Sequence, residues 1–304
     1  MSDRAALSGC NFTATQHSTT YDYISPIKLD LAGKNKSEVN IYKKESYNLI
    51  SIKEMNLIRT GVSQIALVDL HGVSDDLVEK LKLAATQAGR SEPVVLSCTV
   101  DISNEASVQA MYETISENFD GRLDIVVNNA AHMKPYKPLL DSDPSAYWRT
   151  WEVNIHGLLN IARAFLPMQF STRASSNGLC TMINVSSSGA LSARPGSASY
   201  RSSKLPILRL TESLQMEYGD QGLLTFCVNP GAIKTKITET LPEKVRDSFP
   251  DSPEIAGDTI AWLAARRVEW LGGRYASCPW DMEELMKRKD GIIEKDLLKM
   301  RMAF

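Results

Sequence analysis

Asn184-Val-Ser-Ser-Ser-Gly189 and Ser199-Tyr-Arg-Ser-Ser-Lys204, joined by a short polar loop, decide the fold predicted for this chain. Tyr200 and Lys204 are four residues apart, so a helix places them one turn apart on the same face. Ser187 follows an apolar run typical of a strand and lies thirteen positions before Tyr200. A strand end and a helix therefore present a hydroxyl, a phenol and an ammonium to one place.

These three groups suit proton transfer at a carbonyl or alcohol oxygen. A free Tyr has a pKa near ~10, and a nearby ammonium such as that of Lys204 favours the phenolate and lowers this pKa. Tyr200 is then expected to give or take a proton while Ser187 holds the same oxygen by a hydrogen bond. Because side chains do not carry the hydride that a redox reaction also needs, the pattern predicts a nicotinamide cofactor.

The spacing between Tyr200 and Lys204 is a weak signal when taken alone. With ten Tyr in 304 residues, about half of one such pair is expected by chance. No other Tyr in the chain has Lys four positions later. The prediction therefore depends on the conjunction with Ser187 and on the segments around it.

Composition limits the classes of protein to which the chain can belong. Its 304 residues, formal charge of −2 and 43% hydrophobic content fit one large globular domain. This charge gives no electrostatic reason to expect nucleic acid or an anionic membrane as a partner. Five scattered Cys, four His without metal-ligand spacing and a polar N-terminus predict a cytoplasmic protein with reduced thiols and no metal.

From residue 64 onward, apolar strand patterns alternate with helical patterns. The predicted strands are 65–69, 93–100, 123–129, 179–185 and 223–228, and the predicted helices are 74–89, 106–119, 145–170 and 197–218. This alternation predicts βαβ units and a parallel sheet covered on both faces. Ligands of such sheets bind beyond the carboxyl ends of the strands.

Polar or turn residues follow each predicted strand at that edge. They are Asp69, Asp101, Asn129, Ser187 and Pro230-Gly231. Any one of them is as easily an ordinary turn residue at a strand end. All five at one edge of one sheet are harder to explain as turns, and they favour a ligand site.

Four segments resemble the short-chain dehydrogenase/reductase family over about residues 61–280. They are Asn128-Asn-Ala-Ala131, Asn154-Ile-His-Gly157, the set of Ser187, Tyr200 and Lys204, and Pro230-Gly-Ala-Ile-Lys-Thr235. Together these motifs are highly specific. The resemblance implies an α/β fold with a Rossmann-like doubly wound parallel sheet in three layers, αβα, in which the first βα unit is atypical.

The resemblance also implies catalytic roles. Tyr200 would be the general acid/base, and Ser187 would orient the substrate oxygen. Lys204 would lower the pKa of Tyr200 and hydrogen-bond the nicotinamide ribose. Asn154 would hold a water that links Lys204 to solvent. The implied partners are a small-molecule alcohol or carbonyl substrate and a second copy of the chain, in a homodimer or homotetramer built through the two long helices.

For the cofactor, NAD or NADP, the resemblance implies a second set of residues. Asp101 and Ile102 would contact the adenine, and Asn129 would lie beside the adenosine ribose. Ile233 and Thr235 would hold the carboxamide.

The choice between NAD and NADP depends on Asp69, which ends the second strand of the family. An acid there accepts a hydrogen bond from the ribose 2′-OH, whereas a 2′-phosphate would face a like charge. His71 is the only neighbour that can be cationic. We therefore favour NAD.

Residues 35–60 depart from the family pattern. The family opens with a strand and a Thr-Gly-x-x-x-Gly-x-Gly turn, whose glycines let the backbone approach the pyrophosphate at a helix N-terminus. This chain has no Gly-x-Gly, although 39–42 can pair as a strand and 52–59 can form a helix. Residues 35–40 are too polar for a strand buried on both faces. We predict a dinucleotide affinity much weaker than the family norm.

Two explanations of this segment are open: a real divergence, or sequence that does not belong to the coding region. We favour the second. Two functions are open as well. The first is an oxidoreductase that transfers a hydride between NAD(P) and an alcohol or carbonyl. The alternative is a non-catalytic relative that keeps the fold for binding or oligomerisation.

The chain is predicted to divide into a flexible or loosely docked arm (1–30), one dehydrogenase domain (31–280) and a helical extension (281–304) with helices at 281–289 and 293–302. Residues 236–252 stand where the family builds its substrate lid, and 132–136 and 193–197 would flank the opening. Their apolar and mixed composition indicates a small to medium organic carbonyl that is not highly charged.

Overall fold

The protein is described by a computed structural model in residues 11–31, 37–41 and 56–302. The strands in these residues are β1 Ser37–Ile41, β2 Gln64–Asp69, β3 Val94–Thr99, β4 Ile125–Asn128, β5 Thr181–Val185, β6 Leu224–Asn229 and β7 Arg274–Ser277. They form one sheet in the order β3-β2-β1-β4-β5-β6-β7, with all neighbours parallel. The predicted α/β fold with a Rossmann-like parallel sheet is confirmed.

Helices cover both faces of this sheet. They are α1 Asp75–Gln87, α2 Glu105–Asn118, α3 Pro144–Trp151, α4 Gly157–Ser176, α5 Ala198–Tyr218, α6 Glu243–Arg246, α7 Pro253–Arg266, α8 Met282–Lys287 and α9 Lys289–Glu294. Along β2, Ile65 and Leu67 belong to one apolar cluster while Ala66 and Val68 belong to another. This alternation, with period two, divides the core into two layers, one on each side of the sheet. Among the described residues, no helix has the length and apolar character needed to cross a membrane.

The predicted strands and helices from residue 64 to residue 229 are confirmed within two residues, except for the helix predicted at 145–170. That stretch is divided by a π-helical turn at Glu152–His156 and continues to Ser176. The prediction of a helix at 293–302 is wrong. The second C-terminal helix, α9, ends at Glu294, and Asp296 and Leu298 have φ of +47° and +65°. Such left-handed residues do not continue a right-handed helix. Strand β7 is not among the predicted strands. It begins directly after Gly272 and Gly273, and this pair of glycines is typical of a turn.

Strand β1 lies in the centre of the sheet, between β2 and β4. The expectation that residues 35–40 are too polar for this position is therefore wrong for Ser37–Ile41. Ser37 is fully buried, yet its Oγ donates to the Arg122 carbonyl at 2.8 Å. Val39 is fully buried as well. A buried polar residue is tolerated when its hydrogen bonds are made.

The segment after β1 is described only at its end. Residues 56–59 are helical, in agreement with the helix predicted at 52–59. Residues 42–55, where the missing glycine turn would stand, lie outside the described residues. The weak dinucleotide affinity predicted from this segment therefore stays a prediction.

Residues 11–31 pack against the C-terminal part of the chain. Gln16 forms an antiparallel bridge with Trp280, and the His17 backbone N–H donates to the Pro279 carbonyl at 2.7 Å. Ile24 is fully buried. The described part of the predicted arm is thus docked, while the division into an arm, one domain and an extension stays a prediction.

Asp124 joins three strands at the amino end of the sheet, where its side chain is fully buried. Its carboxylate accepts from Leu179 N–H at 2.9 Å, Ser37 N–H at 3.2 Å and Arg122 Nε at 2.9 Å. Its own N–H donates to the Ser37 carbonyl at 3.0 Å, and its carbonyl accepts from Thr181 N–H at 2.9 Å. These bonds fix the starts of β1, β4 and β5 relative to one another, and they compensate the desolvation of the carboxylate.

Asp124→Ala is expected to lower the free energy of unfolding by about 3–5 kcal/mol, because it removes the acceptor of two buried N–H groups and the carboxylate of the ion pair with Arg122. Urea denaturation followed by circular dichroism measures this change. The matched control is Asp76→Ala, which removes an exposed carboxylate paired with Lys80; its effect should stay within about 1 kcal/mol. Equal losses in the two variants would contradict the role given to Asp124.

Candidate active site

A cavity of about 260 Å³ opens beyond the carboxyl ends of β4, β5 and β6. Six of the predicted site residues line it, namely Asn129, Ser187, Tyr200, Lys204, Ile233 and Thr235. Its volume is near the lower end of the range for small-molecule sites. The parallel arrangement explains the convergence, because the residues that follow neighbouring strands meet at one edge of the sheet.

Ser187 and Tyr200 both line this cavity, close enough for the Ser187 hydroxyl to lower the pKa of the Tyr200 phenol. Ser187 lies two residues after β5, and Tyr200 lies in the first turn of α5. The Gly189 backbone N–H donates to Ser187 Oγ at 3.0 Å. This bond uses one lone pair of Ser187 Oγ and leaves its hydroxyl proton and its second lone pair for other partners. The structure thus brings the two hydroxyls to one cavity.

Lys204 lies one turn after Tyr200 on α5, and only 1% of its surface is exposed. Its Nζ donates to the Val185 carbonyl at 2.9 Å and lies 5.9 Å from the centroid of the Tyr200 ring. A carbonyl at a strand end thus holds a buried ammonium beside the phenol.

The pKa of Tyr200 differs from the prediction. Burial raises the pKa of Tyr200 to about 12, and Tyr136 adds to the rise, while the Ser187 hydrogen bond and the Arg201 guanidinium lower it. The prediction that Lys204 lowers this pKa is wrong for the structure described here. The ammonium of Lys204 is bound to a backbone carbonyl, and the desolvation of Tyr200 dominates. Tyr200 is therefore a protonated phenol at neutral pH.

Asn154 stands behind the cavity, in a π-helical turn, Glu152–His156, between α3 and α4. Its Oδ1 accepts from His132 N–H at 2.7 Å, and its Nδ2 donates to the His132 carbonyl at 3.1 Å and to Ser203 Oγ at 2.8 Å. Ser203 Oγ in turn donates to the Tyr200 carbonyl at 2.7 Å. Asn154 thus connects the loop after β4 to the helix that carries Tyr200. Single π-turns of this kind are frequent at functional sites.

Asp69 and Asp101 lie at the ends of β2 and β3, outside the cavity. Asp69 is buried, and its Oδ1 accepts from the His71 backbone N–H at 2.7 Å. Asp101 accepts from Ser103 N–H at 3.0 Å and from Arg149 Nη2 at 2.8 Å. Burial alone would raise the pKa of Asp101, but the bonds from Ser103 and Arg149 lower it. The two carboxylates form a second group of polar side chains along the same edge of the sheet.

Ile102 is buried against the start of α4. A Cβ on Gly157 would lie 2.6 Å from Ile102 Cδ1, and Asn160 Nδ2 donates to the Ile102 carbonyl at 2.9 Å. The absence of a side chain at Gly157 therefore lets the helix approach the loop after β3.

The turn after β6 brings Ile233 and Thr235 to the cavity wall. Gly231 has φ of +107°, and a Cβ there would lie 2.7 Å from Asp251 Oδ2. The same oxygen accepts from Ala232 N–H at 2.6 Å. Only glycine combines this backbone angle with this close approach, which explains the Pro-Gly pair at the strand end.

The side chains around the cavity suit the nicotinamide end of a dinucleotide. An ammonium, a phenol, an amide and a hydroxyl line it, from Lys204, Tyr200, Asn129 and Thr235, and no carboxylate lines it among the residues that the structure describes. Such groups match the hydroxyls of a ribose and the amide of a nicotinamide. Residues 42–55, which would face the pyrophosphate, lie outside the described residues.

Several other residues of the cavity lining come from segments that were predicted to border the site. The predicted lid loop does contribute lining residues, which are Ile237, Thr238, Leu241, Val245 and Phe249. Met133, Tyr136 and Arg194 come from the two flanking segments, as predicted. Arg201 was missed, although it directly follows Tyr200 in the sequence.

Comparison with known proteins gives close relatives in sequence. The family model described as short chain dehydrogenase matches residues 67–246, more than half of the chain. The short chain dehydrogenase mpl6 of Monascus purpureus is 42% identical over 220 residues, which cover 72% of this chain and 73% of the relative. The short chain dehydrogenase pigC of Monascus ruber is 34% identical over 298 residues, 96% of this chain and 94% of the relative.

Solved structures share the fold at low sequence identity. The 3-ketoacyl-(acyl-carrier-protein) reductase from Brucella melitensis, complexed with NADH, superposes with a TM-score of 0.67 and 24% identity, over 82% of this chain and 97% of the reductase. Carveol dehydrogenase from Mycobacterium avium, in complex with NAD, gives a TM-score of 0.67 at 17% identity, over 82% and 97%. With the fold, the family match and these relatives in agreement, the chain belongs to the short-chain dehydrogenase family of oxidoreductases.

Proposed function

We propose that this chain interconverts a carbonyl compound and an alcohol, with NAD(P) as the hydride carrier. The observation that carries the proposal is the convergence of Ser187 and Tyr200 in the wall of one cavity, with the buried ammonium of Lys204 beside the phenol. The structures with NADH and NAD described above support a nicotinamide cofactor, because they share this fold.

In the proposed reaction, the substrate oxygen accepts hydrogen bonds from Ser187 and Tyr200. When bound, the nicotinamide supplies or accepts the hydride at the carbon. Tyr200 donates its phenolic proton to the oxygen as the carbonyl is reduced, and it takes the proton back in the reverse direction. Lys204 offers its ammonium to the nicotinamide ribose. Asn154 is proposed to hold the water that returns a proton from solvent.

The pKa of Tyr200, raised to about 12, keeps this phenol protonated at neutral pH. Carbonyl reduction thus starts from the form of Tyr200 that is present, whereas alcohol oxidation needs its phenolate. The remaining proposed cofactor contacts are Asp69 and Asn129 to the adenosine ribose, Asp101 and Ile102 to the adenine, and Ile233 and Thr235 to the carboxamide. Because the Asp69 carboxylate would repel a 2′-phosphate, we favour NAD over NADP.

A second candidate function is non-catalytic binding, and one observation favours it. Residues 35–60 contain none of the glycines with which the family binds the pyrophosphate. Side chains at these positions hinder the close approach of the backbone to phosphate. A chain of this kind would keep the fold and the acid/base residues without effective use of a dinucleotide.

We also propose a homodimer or homotetramer formed through α4 and α5. Leu159 on α4 and Leu205 and Met216 on α5 expose apolar side chains. Exposed apolar side chains of this kind are typical of a surface that becomes buried in a subunit interface. A cytoplasmic location stays a prediction from the sequence.

Tyr200→Phe is expected to lower turnover by at least about 100-fold, because general acid catalysis contributes roughly that much or more. The substitution removes only the phenolic oxygen, so the thermal midpoint and any binding of NADH should change little. Steady-state oxidation of NADH with a panel of carbonyls measures the effect. Tyr218→Phe, at the far end of the same helix, is the matched control. Near-normal turnover of Tyr200→Phe would exclude its proposed role.

The pH dependence follows from the raised pKa of Tyr200. Because the phenol stays protonated below about pH 12, carbonyl reduction should lose no activity through this group between about pH 6 and about pH 10. Alcohol oxidation needs the phenolate, so its rate should rise about tenfold per pH unit over the same range. Initial rates in both directions test this. A reduction rate that falls with an apparent pKa near about 7 would contradict the assignment.

The affinity for the dinucleotide separates the two candidate functions. We expect NADH to quench the fluorescence of the five Trp saturably, with a Kd above the micromolar range. The Kd for NADPH should be higher than the Kd for NADH. A solution of free tryptophan corrects for absorption by the nucleotide. No quenching up to millimolar NADH would favour the non-catalytic function. Micromolar binding would show that the prediction from residues 35–60 is wrong.

The oligomeric state is tested by sedimentation velocity at micromolar concentration. A species of twice or four times the mass of the chain is expected. Met216→Lys and Leu205→Lys together should shift it toward monomer, because they place charges on the proposed interface. A wild-type protein that sediments only as a monomer would contradict the proposal.

A further inference from the structure

Arg201 lies directly after Tyr200 in the first turn of α5 and lines the cavity. Its Nη1 donates to the Ser192 carbonyl at 3.1 Å and to Ser192 Oγ at 2.5 Å. Its Nε is buried and has no hydrogen-bond partner among the described residues. The contacts with Ser192 therefore occupy one nitrogen of the guanidinium and leave the donor at Nε unmatched, which is costly for a buried polar group.

The guanidinium of Arg201 is close to the proposed reaction centre. A Cβ placed on Gly189 would lie 3.1 Å from Ser187 Oγ and 3.7 Å from the Arg201 guanidinium carbon. Both groups thus lie within contact distance of one point. Ser187 Oγ and the Arg201 guanidinium are therefore near neighbours in the cavity lining. The guanidinium also lowers the pKa of Tyr200, in keeping with this proximity.

The charge of the cavity lining is one-sided. In the part of the chain that the structure describes, it contains Arg194, Arg201 and Lys204 but no Asp or Glu. Lys204 is bound to the Val185 carbonyl, and Arg194 is exposed at the rim. Neither arginine forms an ion pair with a carboxylate in the ranges 11–31, 37–41 and 56–302. The charges of Arg194 and Arg201 are therefore not neutralised by an ion pair within the residues that the structure describes.

Several other side chains of the cavity lining are apolar. They are Met133 and four residues of the lid loop, Ile237, Leu241, Val245 and Phe249. A lining that combines apolar side chains with arginines suits a ligand with an apolar body and one anionic group. Arginine binds carboxylates through its planar set of N–H donors, and Nη2 of Arg201 makes no hydrogen bond to the residues that the structure describes.

We propose that the substrate of this site is a carbonyl compound that carries a carboxylate, with Arg201 as the residue that selects the carboxylate and Arg194 as a weaker contact at the rim. This inference rests on the proposed function. The apolar body of the substrate lies under Leu241 and Phe249. Because Ser187 Oγ and the Arg201 guanidinium border one point, the carbonyl and the carboxylate are separated by only a few carbon atoms.

The test compares acids with their uncharged methyl esters. The probes are levulinate, ortho-acetylbenzoate and beta-benzoylpropionate, each beside its methyl ester. Affinity is measured without turnover, from the rise of the thermal midpoint with ligand concentration, and KM and kcat are measured with NADH and with NADPH. We expect the wild type to bind at least one acid about 10-fold or more tightly than its ester, since hydrogen bonds to charged groups are the strong ones.

Arg201→Gln should reduce this acid-over-ester ratio to near one, mainly through KM. Arg201→Lys keeps the charge without the planar pair of donors and should keep part of the ratio. Arg194→Gln should have a smaller effect, because Arg194 is exposed.

Two controls separate recognition from a structural role. Ser192→Ala removes one bond that holds Arg201 but leaves the guanidinium in place, so the ratio should persist. Arg163→Gln removes an exposed charge on α4, outside the cavity, and should also leave the ratio unchanged.

Equal affinity for acid and ester throughout the panel would overturn the inference, and so would an Arg201→Gln variant that keeps the wild-type ratio. If Arg201→Gln does not fold, the wild-type comparison and Arg201→Lys still decide. Failure of the proposed function has a different signature: acids bind with the expected preference, but neither acid nor ester is reduced with either nucleotide.

Discussion

The buried carboxylate of Asp124 is the constraint on which the rest of the structure depends. It binds the start of β1 and the segment before β5, and its main chain pairs with Ser37 and Thr181. Parallel strands whose starts are fixed in this way also end together. The residues that follow β4 and β5, Asn129 and Ser187, therefore reach the same cavity. The same strand register thus stabilises the amino end of the sheet and aligns the residues of the cavity at its carboxyl end.

The sequence predicts the parts of the site that depend on local spacing. The helical separation of Tyr200 and Lys204 and the strand before Ser187 are short-range patterns, and the structure brings the three residues to one cavity. Asp124 was not identified, because its importance comes from partners that are 55 and 87 residues away along the chain. Arg201 was missed for a related reason. The sequence does not show that the Arg201 side chain contacts Ser192 and borders the cavity.

Two predictions failed because a local property was judged without its surroundings. The segment 35–40 is polar, yet Ser37 finds an acceptor in the Arg122 carbonyl and its N–H finds Asp124, so the central strand tolerates it. Lys204 is one turn from Tyr200, yet it is bound to the Val185 carbonyl, and burial determines the pKa of the phenol. In both cases the outcome depends on the balance between the cost of desolvation and the gain from hydrogen bonds. This balance can be judged only when the neighbours in three dimensions are known.

The docking of residues 11–31 has a consequence for the order in which the molecule is made. The Ala14 backbone N–H donates to Glu284, a residue 270 positions later, and His17 contacts Asp281, 264 positions later. A ribosome synthesises the chain from its N-terminus, so neither acceptor exists until all seven described strands have been translated. Leu29 to Leu31 can bind Thr60 and Arg90 much earlier. Within one short segment, the residues near Ala14 and His17 are thus among the last to reach their final contacts.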